Sequence, residues 1–151
     1  MEYNDLSMNK IIINIIGLIL LGLSTNVMSD SKIEIPYKLE SCPASPNCVS
    51  TLATDEEHTI EPMKYQGDYL QAKEKLIRVL NTLPRISVIK NEETYLHVTQ
   101  TSFVFRFVDD VEFVFDDELK TIQFTSRSRT GHSDFGVNRK RMENIRTLYE
   151  K

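Results

Sequence analysis

The stretch from Phe103 to Arg146 restricts the chain most, because its pattern changes period along its length. Phe103, Phe105, Phe107, Phe113 and Phe115 share one parity, with Asp109 and Val111 on the same side, as in a strand with one face in a core. After a turn at Asp116–Lys120, Thr121–Ser128 returns as a second strand. Ile122 and Phe124 mark its inner face, which Ser126 and Ser128 extend, while Arg127 and Arg129 lie on the other. The loop ThrGlyHisSerAsp follows, and Ser133 or Asp134 is placed to cap a final helix. That helix gathers Met142, Ile145, Leu148 and Tyr149 on its apolar side and is expected to pair Arg139 with Glu143 on its exposed one.

Asp109 falls in an apolar row, and an unpaired carboxylate there is very costly. Either the strand bends at Asp109–Asp110 and turns both acids outward, or Asp109 faces inward against a cation.

Upstream, Asp68 caps a helix that begins at Tyr69 and stops near Leu83, ahead of Pro84. Tyr69, Ala72, Leu76, Val79, Leu80 and Leu83 form its apolar side, and Lys73, Glu74, Lys75 and Arg78 its solvated one. Arg85–Lys90 and Tyr95–Thr101 then read as a hairpin, with His97 as a half-buried strand residue. Val49–Thr59 reads as a polar turn, with His58 exposed in it; a metal-ligand role would need a second His or Cys at a suitable spacing, and none is beside it. A short strand is expected between His58 and Tyr65. The fold class that emerges is α+β, an antiparallel meander of about four strands flanked in sequence by two helices.

The first residues follow another logic. Lys10, the apolar run Ile11–Leu23 and the small, polar residues up to Ser29 have the three-part arrangement of a secretory signal. The alternative is an uncleaved anchor, but the run falls short of the roughly 20 apolar residues that span a bilayer. The expected organisation is a signal peptide over 1–29, an extended leader over 30–41 and one domain over 42–151. The product is then periplasmic or secreted, with no stable membrane span once the signal is removed. The net charge of -4 argues against nucleic acid as a partner.

In an oxidising compartment Cys42 and Cys48 are expected to form a small-loop disulfide, with Pro43 and Pro46 stiffening the loop. A zinc site would want four protein ligands, and a catalytic Cys48 would want a neighbouring base. No metal or cofactor is expected.

Four ordered blocks, CPASPNCVS at 42–50, FVDDVEF at 107–113, SRSR at 126–129 and SDFGVNRKR at 133–141, together resemble the family catalogued as domain of unknown function 1499. The resemblance runs from about Leu39 to Arg146. It implies the limits of the domain and no activity.

Two readings of the charged residues stay open. Arg127, Arg129, Arg139 and Arg141, with Ser126, Ser128 and the amides of the last helix, have the chemistry to bind a phosphate or carboxylate. Alternatively Asp109, Asp110, Glu112 and Asp134 neutralise those arginines and fasten the last helix to the sheet. An enzymatic alternative uses Asp109, Asp110 and Glu112 with His132 as a hard-cation site or acid/base set, a carboxylate-based metal-dependent hydrolase. The favoured expectation is a non-catalytic binding or assembly module at the cell envelope, whose partner is an envelope protein or a small anionic ligand.

Overall fold

The computed structural model describes residues 37–151. The signal peptide read over 1–29 and the leader as far as residue 36 lie outside the described residues. Helix α1, Tyr69–Asn81, starts where Asp68 sets it: the carboxylate accepts the Gln71 amide at 2.8 Å, answering a donor that every helix start leaves open. Ala72, Leu76 and Leu80 are buried at a spacing of one turn, and Thr82 closes the helix with its hydroxyl on the Val79 carbonyl at 2.7 Å.

Lys73 departs from expectation. It is buried, and its ammonium reaches the main-chain carbonyls of Glu92 and Glu93. Burial lowers its pKa, and the four-carbon stem is what lets the head escape to the sheet end from an apolar position.

The strands are β1 (Cys48–Ser50), β2 (Met63–Lys64), β3 (Ile86–Glu92), β4 (Tyr95–Thr101), β5 (Val108–Asp116) and β6 (Thr121–Ser128), and helix α2 (Val137–Tyr149) follows. They form one sheet in the order β1-β6-β5-β4-β3, with β2 also on β6. The α+β class and the antiparallel meander β3 to β6 are as expected, but the sheet has six strands. Strand β2 falls within the short strand expected between His58 and Tyr65, and it shares the outer edge of β6 with β1, β1 opposite Ser126 and β2 opposite Ile122. A three-residue strand carries no readable period, and β1 exists because distant β6 offers it a free edge. The bond between Cys42 and Cys48, whose Cα atoms are 5.6 Å apart, ties the chain into that strand.

Both helices cover one face of the sheet. Leu96, Val98, Val111, Phe113, Phe115, Ile122 and Phe124 are buried there with Leu76, Leu80, Met142 and Ile145. The other face is partly roofed by residues 37–41, which the sequence assigns to the leader: Tyr37 stacks on Tyr95 at 4.5 Å between centroids, and Leu39 is buried with Tyr95 and Val114.

Strand β5 begins at Val108, later than the aromatic alternation suggests. Phe103, Val104, Phe105 and Phe107 are exposed in the β4–β5 connection. Ser102 closes that loop: its amide donates to the Phe107 carbonyl at 2.8 Å and its hydroxyl accepts the Phe107 amide at 2.9 Å. Arg106, at φ 57°, has left the extended region altogether.

His58 is buried rather than solvated. Its Nδ1 is 2.6 Å from Asp55 and its Nε2 3.1 Å from the Ser45 carbonyl. Burial works against the charged ring, yet the bonds to Asp55 and Ser45 and the nearby Glu57 together raise its pKa above the ordinary value. A raised folded-state pKa stabilises the fold fully below the unfolded value near 6.5, and that contribution fades as pH rises through the folded value. The denaturation midpoint of His58→Gln should therefore lie further below wild type at about pH 5.5 than at about pH 8.5. An equal gap at both would mean that folding leaves the affinity of the ring for its proton unchanged.

Candidate functional site

The two adjacent acids of β5 settle the layout, because neighbours in a strand point to opposite faces. Asp109 faces inward and is met by Arg141 from α2, with both side chains almost closed to solvent at 6% and 7% exposure. The same guanidinium donates to Gln100 Oε1 at 2.6 Å, Ser126 Oγ at 3.0 Å and Asn138 Oδ1 at 2.5 Å. Asn138, fully buried, is the hub of this junction. Its Oδ1 also accepts the Ser126 hydroxyl at 2.6 Å, and its Nδ2 donates toward the Asn47 carbonyl, Ser128 Oγ and Asp134 Oδ2 at 2.9, 3.1 and 2.7 Å. Asp134 caps α2, accepting the Gly136 amide at 2.9 Å and the Asn138 amide at 2.7 Å. Gly136 takes φ 76°, a conformation that suits a residue without Cβ.

Asp110 faces the other way. Arg129 holds it with two bonds, Nε at 2.8 Å and Nη2 at 2.9 Å, and His97 Nε2 lies 2.7 Å from Oδ1. The Arg129 bonds first, and the His97 bond after them, hold this carboxyl below the usual carboxylate range despite its burial. An ionised carboxylate only accepts, so His97 Nε2 carries its hydrogen. Alongside, Arg127 reaches Glu40 at 2.5 Å and Glu112 at 3.7 Å, and Tyr95 donates to Glu112 at 2.7 Å. Burial first, and then the Glu112 bond, push the Tyr95 phenol above its ordinary range.

The six residues read as an anion site thus occupy three places. Ser126, Ser128 and Arg141 belong to the inner junction, and Arg127 and Arg129 to the outer face. Arg139 lies on the side of α2, where it donates to the carbonyls of Glu57 and Thr59 at 2.8 and 2.9 Å. It does not take Glu143, which sits 3.7 Å from Arg146 instead. Main-chain carbonyls of the 55–59 loop are fixed by the fold, whereas Glu143 is a half-exposed side chain whose ordering costs entropy, so the guanidinium takes the preorganised partner. The four expected acids Asp109, Asp110, Glu112 and Asp134 are all engaged as described, and His132 is exposed on the β6–α2 loop. A depression of about 230 Å³ beside the junction includes Glu57, Asp134 and Arg139 in its wall, two carboxylates to one cation. Among the described residues no group of three His, Cys, Asp or Glu side chains is placed to hold a metal ion.

Sequence reasoning missed Asn138 and Asn47. Asn138 and Arg141 stand three apart in one helix and therefore on one face, a spacing that could have marked them as co-workers. Asn47 holds the Cys loop to the rest: its carbonyl accepts the Ser128 amide at 3.0 Å and its side chain donates to the Gly131 carbonyl at 2.7 Å. All four blocks quoted for the resemblance supply a residue to the contacts around Asn138: Asn47, Asp109, Ser126 with Ser128, and Asp134 with Arg141.

The family described as Protein of unknown function (DUF1499) matches residues 38–148. The chain belongs to that family. No curated protein and no solved structure matches it. The matched span begins at Lys38, within the segment that roofs the outer face, and ends at Leu148, so the family covers the roof, the sheet and both helices.

Proposed function

We propose that this family member is an exported, non-catalytic binding or assembly module of the cell envelope, periplasmic or secreted. The observation that carries the reading is the state of its charged groups. Asp109 is matched by Arg141, Asp110 by Arg129 and His97, Glu112 by Arg127 and Tyr95, and Asp134 by helix amides. A nucleophile, general base or metal ligand needs an uncommitted lone pair aimed at substrate, and these acids have given theirs to neighbours. The Cys42–Cys48 bond supports export, since such bonds persist in oxidising compartments. For a small anionic ligand the weakest rival is Glu40, the exposed acid on Arg127, at 69% exposure. A phosphate would compete there before it competed at Asp110.

The alternative, a carboxylate-based metal-dependent hydrolase, predicts turnover of generic ester or phosphoester substrates with added Mg²⁺, Mn²⁺ or Zn²⁺, lost in Asp110→Asn. The binding-module reading expects no turnover with any of the three metals and no difference between wild type and the variant. Metal-dependent hydrolysis abolished by Asp110→Asn would overturn it.

A further inference from the structure

The β4–β5 and β6–α2 connections leave the same end of the antiparallel sheet, and apolar surface is concentrated there. Phe103, Val104 and Phe105 are 77%, 73% and 75% exposed, Phe107 is 52% exposed, and Phe135 on the neighbouring loop is 96% exposed. Elsewhere Leu52, Leu70 and Leu119 stand singly, and Val88 and Ile89 are a half-exposed pair on edge strand β3. Consecutive bare side chains on one loop are a different matter, because water charges for every one of them. The loop is nonetheless closed at its base by the paired bonds between Ser102 and Phe107, which leave the rings between them presented to solvent.

The same end is cationic in a chain whose net charge is -4. Across residues 82–86, 102–107 and 129–140 the single carboxylate is Asp134, and both its oxygens accept main-chain amides at the start of α2, from Gly136 just before it and Asn138 within it. Arg85, Arg106 and Lys140 pair with no carboxylate among the described residues, and Arg85 lies over the Phe103 ring at 5.4 Å. Aromatic and aliphatic side chains on one loop, with Arg106 between two of the rings and Arg85 against a third, match a bilayer interface: rings enter below the headgroups and long guanidinium side chains reach back to the phosphates. A depression of about 300 Å³ at this end is lined by Leu83, Gln100, Val137 and Lys140 and by none of the rings of the 102–107 loop, which stand free for a fluid phase to close around.

We propose that the 102–107 loop, Arg106 included, together with Phe135, Arg85 and Lys140 at the same end of the sheet, docks this domain onto an anionic phospholipid surface. The proposal rests on the envelope part of the function above and is indifferent to catalysis. It can therefore fail while the non-catalytic reading stands, or stand while that reading fails.

The chain has no Trp, so Phe105→Trp in the full-length protein gives a single reporter at the tip, and Leu119→Trp gives one at the opposite end of the sheet. Both are titrated with vesicles of purely zwitterionic lipid and with vesicles containing anionic phospholipid. At the tip the indole emission should shift to the blue and become shielded from an aqueous quencher on anionic vesicles, more weakly on zwitterionic ones, while the Leu119→Trp reporter does not move. Adding Phe103→Ser should weaken the tip response about tenfold, the worth of withdrawing one phenyl ring from apolar surroundings. Arg85→Gln with Arg106→Gln should reduce the preference for anionic vesicles by about fivefold for each cation neutralised.

A tip indole that stays in water on every vesicle overturns the proposal, even where the chain itself floats with lipid through residues 11–23. An indole already shielded without vesicles also overturns it. Shielding that grows with protein concentration would assign the surface to a second copy, and shielding independent of concentration would assign it to the chain's own apolar run.

Discussion

Arg141→Met should cost the fold about 3–5 kcal/mol, read as a lower urea midpoint with an unchanged slope, because it strands the Asp109 carboxylate beneath α2. Against a total stability of about 5–15 kcal/mol for a domain, that loss leaves a marginal protein. The variant keeps much of the volume of the arginine stem, so what it removes is chiefly charge and four hydrogen-bonded contacts, to Asp109, Gln100, Ser126 and Asn138. A second substitution separates the two contributions. With Asp109→Leu added, no charge remains buried and most of the loss should return; Gln100, Ser126 and Asn138, still short of a donor, keep the recovery partial. If Arg141 served mainly to hold a ligand, the single variant would unfold within about 1 kcal/mol of wild type, as surface substitutions do. That result would also dissolve the closed network on which the non-catalytic reading depends.

Much of this junction was legible, and particular residues show where legibility stopped. Parity alone put Ser126 and Ser128 inside and Arg127 and Arg129 outside, but it left two placements for Asp109 and Asp110, and only the unbroken strand and Arg141 choose the one with Asp109 inward. What parity cannot supply is register and the rotation of a helix over a sheet. Asp110 sits directly across from Arg127, yet its bidentate partner is Arg129, two residues along on the same face. Arg127 is drawn off by Glu40, which arrives from a segment read as a mere leader. Asn138 was invisible for a related reason: an Asn in a basic helix looks like surface until the sheet edge is placed against it. The helix caps, by contrast, are local chemistry, and Asp68 and Asp134 both act as their spacing suggested. His58 and Lys73 mislead in one direction, since a polar residue in a polar stretch is read as solvated, and only tertiary partners reveal it as buried.

The aromatic alternation from Phe103 to Phe115 yields the sharpest contrast between pattern and place, and the second large effect. Phe113 and Phe105 have the same parity, and each stands between a valine and a charged residue, so the alternation treats them alike. Phe113 is fully buried on the inner face, with its ring 6.3 Å from that of Phe124 in a tilted arrangement. Phe113→Ala removes the ring and leaves a void that close-packed neighbours fill incompletely, and it should cost about 3–5 kcal/mol. Phe105→Ala touches a side chain already in water and should change stability by less than about 0.5 kcal/mol. Urea unfolding of the two variants side by side measures the difference directly. Equal losses would mean that the 102–107 loop packs into the core in solution, and the exposed tip would then not exist to meet a membrane. A large loss at Phe113 with none at Phe105 is what a strand beginning at Val108 requires. It would also leave the vesicle experiment clean, because the tip variants would then differ from the parent in surface and not in fold.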